Sequence, residues 1–473
     1  VPNRARNWLT PAAWVAAVSA VLLLVFPYGF PNYDTIYALV WGRELAHGQS
    51  PDYGAALPPT PHPLADLLGL VTTPFGDGAI TVTMIVAYVS LALCGYLVYR
   101  LGTIWFGRWI GALAAATVLT RAPFLSNGLR AYVDLPYIAL CLGALTIEAK
   151  RPRAGWPVLS LLALAGLLRP EAWGFSIAYW LWLAWNRNRS RNELAWLGAL
   201  ALAAPIVWVL FDAITTGEPL YSLTGTQSTV ETLDRHTGPV DVFLYGPRAL
   251  GEVLQWPGMV GAVGGVVLGF LYLRRRSLLG IAAAALALLA FAFLGAAGLA
   301  IIARYTMLAA AILAIFVAVA LLGWRLLEPG HPARRTWQVF AALVALMFVL
   351  WLPNQWDLDS RVDTDLTNQA RIEDDLTELV DAGAFEPLCG KVAVPNHRAV
   401  PRLAFGLDVE PTEIVSASEE GIPHRGYFVA PASPFVIHNF ILDPGDPTRF
   451  SLKPPAGFRE VARNESWRVY RRC

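Results

Sequence analysis

The chain has 473 residues, 56% of them hydrophobic and only 15% charged, with 18 Trp and a formal net charge of +1. Soluble domains carry about 25% charged residues, so a chain this apolar cannot hide its surface in one water-soluble core. Repeated apolar runs near the ~20 residues needed to cross a bilayer point to a polytopic membrane protein. No Walker loop, dinucleotide fingerprint or clustered Cys/His metal motif is present, and no nucleic-acid partner is expected.

Eleven apolar runs predict eleven spans, at about 12–30, 79–98, 109–119, 135–147, 156–168, 173–185, 194–211, 259–273, 279–302, 307–322 and 339–352. Arg4 and Arg6 precede the first, and no small-residue cleavage site follows it, so its N-terminus is expected in the cytoplasm. Alternate loops then carry the short basic clusters: Arg100 and Arg108; Lys150, Arg151 and Arg153; Arg187, Arg189 and Arg191; Arg274, Arg275 and Arg276; Arg325, Arg334 and Arg335. All fall on one side, as the positive-inside rule requires. The short pair of runs around Arg169-Pro170-Glu171 can be two short helices or one re-entrant hairpin. Either way an even number of crossings separates the basic clusters that flank it.

An odd number of spans puts the tail outside. From Asn354 on there are 13 basic and 19 acidic residues, against 23 and 16 before it. The expected division is therefore a membrane domain, 1–353, and an extracytoplasmic α/β domain, 354–473. In the tail, 371–385 reads as an amphipathic helix and 400–405 as a helical piece. Short strands are expected at 391–394, 413–415 and 427–429, with a final hairpin about Asn464. Asn464-Glu-Ser is formally a glycosylation triplet, but a hairpin turn is the plainer reading. Cys94 and Cys141 sit in apolar runs as core thiols. Cys389 and Cys473 could form a disulfide if the tail is extracytoplasmic.

The stretch 28–74 holds more chemistry than a connector needs: acids, two histidines, seven prolines and many aromatics. Long ordered loops are usually functional. Together with the outer loop 214–257 it is expected to form the site. Asp34, just after the first span and among Tyr28, Tyr33, Tyr37 and Trp41, could accept a proton from a hydroxyl; it could equally be a helix N-terminal acid. Ile36, Leu39 and Val40 put an apolar stripe on the helix that follows, which is expected along the membrane interface. His62-Pro63 opens a second apolar piece, 64–71, too short to span; His62 is a candidate for a phosphate, a metal or a sugar, or a helix cap. Asp134 opens the fourth span, with Arg130 one turn before it as its expected partner. Arg169 and Glu171 either pair or line a cavity. Arg235, His236, Arg248, Arg304 and Tyr305 lie toward the outer side. There arginine can hold a phosphate bidentately or simply snorkel to head groups.

In its order of features the chain resembles the GT-C superfamily of membrane glycosyltransferases, which includes protein O-mannosyltransferases, aminoarabinose transferases and actinobacterial mannosyl- and arabinofuranosyltransferases. The matching residues are Tyr33-Asp34, Leu45-Ala-His-Gly48, His62-Pro63-Leu64, Tyr132-Val-Asp-Leu-Pro136, Leu168-Arg-Pro-Glu171 and Arg304-Tyr305. The resemblance implies a polyprenyl-phosphate-sugar donor and an enzyme acting at the plasma membrane in cell-wall biogenesis. Its acceptor would be an envelope glycan, lipid or protein. Asp34 and Asp134 become the catalytic acids. Arg130, Arg235, His236, Arg248, Arg304 and Tyr305 become phosphate ligands, and Tyr33, His62, Arg169 and Glu171 line the cavity. Relatives often carry two adjacent acids where this chain has Asp34-Thr35, so no metal ligand is assigned and a divalent cation stays open. The alternatives are a transporter or flippase of lipid-linked glycans, or a non-catalytic envelope assembly protein.

Overall fold

The computed structural model describes residues 6–185, 189–441 and 454–473; Arg4 and Arg187, two of the basic residues used above, lie outside them, as does the side chain of Arg6. In chain order the helices are α1 Arg6–Val25, α2 Tyr33–Ala46, α3 Pro63–Thr72, α4 Gly78–Phe106, α5 Arg108–Leu119, α6 Ala122–Leu129, α7 Asp134–Lys150 and α8 Trp156–Gly166. They continue as α9 Glu171–Ala184, α10 Arg191–Thr216, α11 Tyr221–Thr232, α12 Pro239–Tyr272, α13 Arg274–Ala296, α14 Met307–Leu322, α15 Ala333–Asp381 and α16 Val400–Leu407. The strands are β1 Val392–Val394, β2 Ile414–Ser416, β3 Gly426–Pro431, β4 Arg459–Arg463 and β5 Trp467–Arg472.

Each of the eleven apolar runs falls on a helix, but not every helix is long enough to cross. Among the described residues six helical stretches have the length and apolarity: α4, α10, α12, α13, Ala303–Leu326 and α15. The bent pair α5–α6, with 62° between its parts, would make a seventh. Five of the eleven runs lie outside these six: those on α5, α8 and α9 have helices of only 12, 11 and 14 residues, that on α7 has 17, and that on α1 offers Thr10–Val25. At ~1.5 Å per residue they fall short of a ~30 Å hydrocarbon core.

The chain divides into two compact units. The first comprises Val1–Pro27, Ile85–Phe211 and His236–Val362. At its centre is α14, buried at every position from Met307 to Ala320. A helix apolar on all sides belongs inside. Glycines on α12 let α14 approach: a Cβ on Gly265 would stand 1.8 Å from the Phe316 carbonyl oxygen. At the rim, α10 and α15 turn large apolar side chains outward, among them Trp196, Ile206, Leu210, Leu343, Leu346 and Leu350. An apolar belt of that extent is satisfied by lipid rather than water.

The second unit comprises Tyr28–Met84, Asp212–Arg235 and Asp363–Cys473. A cut at residue 354 would put the two long loops with the membrane helices, whereas most of their residues pack with the tail. The reason is a shared core: Tyr37, Val40 and Trp41 of α2 and Tyr53 pack with Ile372 and Leu376 of α15, Val394 of β1, Leu403 of α16 and Trp467 of β5. The interfacial placement of α2 therefore does not hold. Ile36, Leu39 and Val40 are buried, but so are Tyr37 and Trp41 around the same helix, and Arg43 donates to the Ala404, Phe405 and Val409 carbonyls at the end of α16.

The sheet has strand order β2-β1-β3-β5-β4. β1 runs parallel to β2 and β3, and β5 antiparallel to β3 and β4. The β4–β5 hairpin turns at Asn464, whose side-chain oxygen accepts from the Ser466 and Trp467 amides while its amide donates to the Asp375 carbonyl. Cys389 and Cys473 form a disulfide, with Cα atoms 5.8 Å apart and 84 residues apart in sequence. Closing a loop of that length limits the unfolded chain by about 4–5 kcal/mol.

Candidate functional site

In the first unit a charged cluster forms where α7 and α9 begin. Asp134 and Glu171 each open a helix, which suits an acid near the positive end of the helix dipole. Arg169, at the end of the turn after α8, sits between them. Its Nε and Nη2 donate to Glu171 Oε1 at 3.0 and 2.6 Å, and Nη1 donates to Asp134 Oδ1. All three side chains are at least nine-tenths buried. The Tyr305 ring lies 4.1 Å from the guanidinium carbon of Arg169 and 5.3 Å from that of Arg304, and the Tyr132 ring 5.1 Å from Arg304. Aromatic faces of this kind hold cations in place of water.

The partner of Asp134 is thus Arg169, 35 residues away, and not Arg130, which hydrogen-bonds Ser126 Oγ. Arg130 closes α6, and Ala131 takes a left-handed φ of 54° before α7 starts. The two residues do not share a helix, so the one-turn spacing never applies. Arg169 and Glu171 do pair with each other. Among the remaining candidates, His236 stacks on Tyr245 at 3.8 Å and lies 3.4 Å from Asp241. Arg248 pairs with Glu252 on an exposed face of α12. Arg235 follows α11 in the second unit, its amide donating to the Val230 carbonyl.

In the second unit Asp34 is in the first turn of α2, half-buried. Asn32 caps this helix: its Oδ1 accepts from the Asp34 amide at 2.8 Å and the Thr35 amide at 3.3 Å. Tyr33 donates to the Leu57 carbonyl at 3.0 Å, with Tyr37 and His397 edge-on to its ring. The Asp34 carboxylate is thereby held on a rigid, aromatic-lined turn. His62 precedes α3 with Pro63 at the first helical position, and its imidazole makes no capping hydrogen bond.

A residue the sequence reading passed over stands out here. Asp66 is fully buried, and neither oxygen has a hydrogen-bond partner. α3 is polar inside and apolar outside: Asp66, Gly69 and Thr72 are buried while Leu67 and Val71 are exposed. The packing that produces this is close. A Cβ on Gly42 of α2 would come within 2.3 Å of the Gly69 backbone. Burial pushes the Asp66 carboxyl well above the usual range, with the Asp212 and Glu44 charges adding to it. Glu44 is raised to about 7, again chiefly by burial. One of its oxygens accepts from the Asp52 amide at 2.7 Å and the other has no hydrogen-bond partner. The sequence signal was a lone acid three residues before a glycine in an otherwise apolar run. Among the described residues no three His, Cys, Asp or Glu side chains converge as a metal site.

No protein-family model and no curated protein sequence matches the chain. Its fold, however, is shared with solved membrane proteins along nearly its whole length. ArnT from Cupriavidus metallidurans bound to undecaprenyl phosphate superposes with TM-score 0.59 at 15% identity, over 98% of each chain. The apo form of that protein gives 0.53 at 15% identity, over 99% of this chain and 98% of that one. The archaeal oligosaccharyltransferase AglB from Archaeoglobus fulgidus, in complex with an inhibitory peptide and a dolichol-phosphate, gives 0.50 at 12%, over 90% of this chain and 70% of that one. The chain therefore shares the fold class of these solved proteins, in keeping with the order of its sequence features. Within that class, ArnT matches end to end.

Proposed function

We propose that this protein is a polyprenyl-phosphate-dependent membrane glycosyltransferase. It moves a pentose or hexose, such as arabinofuranose or mannose, to an envelope glycan, lipid or protein by a single inverting displacement. The observation that carries the reading is the end-to-end fold shared with ArnT, whose solved form holds undecaprenyl phosphate. A tail on the extracytoplasmic side belongs to the same reading. The Cys389–Cys473 disulfide supports it, because such bonds persist in oxidising compartments.

Asp34 acts as the base that takes the proton of the acceptor hydroxyl as it attacks the anomeric carbon. Its partial exposure suits that role, whereas the buried, ion-paired Asp134 suits positioning. Arg169 donates along its guanidinium edge to Glu171 and Asp134, which suits holding the site together; Arg304, beside Tyr132 and Tyr305, is the ligand proposed for the departing phosphate. A phosphate whose charge is met this way leaves without a strong general acid. Replacing Asp34 by Asn should lower transfer from a polyprenyl-phosphate sugar by about 10²–10⁴-fold while the thermal unfolding midpoint holds. Near-normal transfer by Asp34→Asn would remove Asp34 from the role of base.

A further inference from the structure

A cavity of about 210 Å³ opens in the second unit between residues 57–61 and α11. Its wall carries no charged side chain: three prolines, two tyrosines and a row of hydroxyls line it. Tyr53 and Tyr221 stand side by side, ring centroids 5.6 Å apart at 34°, and the Tyr221 hydroxyl is fixed on the Tyr53 carbonyl. Two of the threonine hydroxyls are committed as donors. Thr226 donates to the Ser222 carbonyl and Thr229 to the Gly225 carbonyl. Because Thr226 has given its proton away, the hydrogen bond between Thr60 and Thr226 has Thr60 as donor. Ser222 is anchored by its amide and its hydroxyl on Asp212, which is 2% exposed.

The wall therefore presents acceptor oxygens and two tyrosine rings, with no cation for an anion and no carboxylate for a cation. A ligand that donates many hydrogen bonds, is uncharged, and has C–H faces for tyrosine meets those terms. We infer that this pocket is a subsite for a neutral carbohydrate ring of the acceptor. The inference rests on the glycosyltransferase reading above and extends it to a place and a chemical class. The volume lies below the ~300–1,000 Å³ of pockets for drug-sized ligands, which suits one sugar ring rather than an oligosaccharide. The prolines at 58, 59 and 61 hold their wall with little conformational freedom to lose on binding. Gly225 lines the space, and a Cβ there would meet nothing within 4 Å. A larger side chain at this position starts from open space and extends from the cavity wall.

The test uses the full chain in lipid nanodiscs. The probes are a methyl 1,6-linked dimannoside and a methyl arabinofuranoside, with a methyl glucuronide as the anionic control, followed by saturation-transfer NMR. Wild-type protein should bind a neutral glycoside and prefer it to the glucuronide. Gly225→Ala should bind within about twofold of wild type, and Gly225→Phe should lose about tenfold or more. Thr229→Val, isosteric and lacking the acceptor oxygen, should lose about threefold and serves if the Phe variant does not fold. No neutral binding, equal binding of the glucuronide, or binding unaffected by both Gly225→Phe and Thr229→Val would overturn the subsite. A protein that binds the glycosides yet transfers no sugar would instead overturn the proposed activity and leave the pocket standing.

Discussion

One cluster in each unit buries its acids in a way opposite to the other. In the first, Arg169 is shared by Asp134 and Glu171, with the Tyr305 ring against its guanidinium. In the second, Asp66 is equally buried with no donor against it. A buried charge must be paired or be lost. The first cluster is therefore ionic, and the Asp66 carboxyl is a neutral acid. Burial alone does not reveal which solution a site has adopted; the hydrogen-bond partners do.

The contrast can be broken by removing the cation. Arg169→Met leaves two buried carboxylates facing each other and should destabilise by about 3–5 kcal/mol. A thermal unfolding midpoint near the wild-type value would show that the cluster is not ionic. Removing one acid should do less. Glu171→Gln keeps a side-chain acceptor for Arg169 and should cost about 1–3 kcal/mol, read by denaturation in the same detergent.

pH sharpens the comparison from the other side. Glu44 is raised from an ordinary 4.5 to about 7, and Asp66 is raised in the same direction. The folded state keeps protons that the unfolded chain releases, so stability is greatest below pH ~4.5 and falls as pH rises through ~7, by roughly 1–2 kcal/mol for a carboxyl that still accepts one hydrogen bond. Glu44→Gln should flatten that slope, and a slope of opposite sign would contradict the assignment. The smallest effect belongs to Asp66→Asn, which replaces a neutral acid by a neutral amide. It should shift stability by about 1 kcal/mol or less, where the same exchange at an ionised, paired acid would cost several times more.

Much of the fold was legible because apolar periodicity is a local property. Every apolar run marked a helix, and the strands at 392–394, 414–416 and 426–431 lie where short apolar runs were bounded by turn residues. Crossing number was less legible, since α8 and α9 are as apolar as longer helices and differ only in length. In the candidate site, local features survived best: Asp34 on its capped turn and the Arg169–Glu171 pair. Long-range ones did not. The Asp134–Arg169 pair spans separate helices. Asp66 is buried only because Gly42 and Gly69 let α2 and α3 touch, which no pattern within either segment reveals. The association of the 28–84 loop with the tail has the same origin, in a core assembled from distant segments.

The complete burial of α14 has a consequence in time. From Met307 to Ala320 every residue is buried, none more than 8% exposed. Its amides can exchange their hydrogens only when the surrounding helices part, whereas those of α10, with much of its surface outward, need only local fraying. Deuterium uptake along the chain should therefore be slowest in α14, making it a built-in clock for the opening of the whole helical unit.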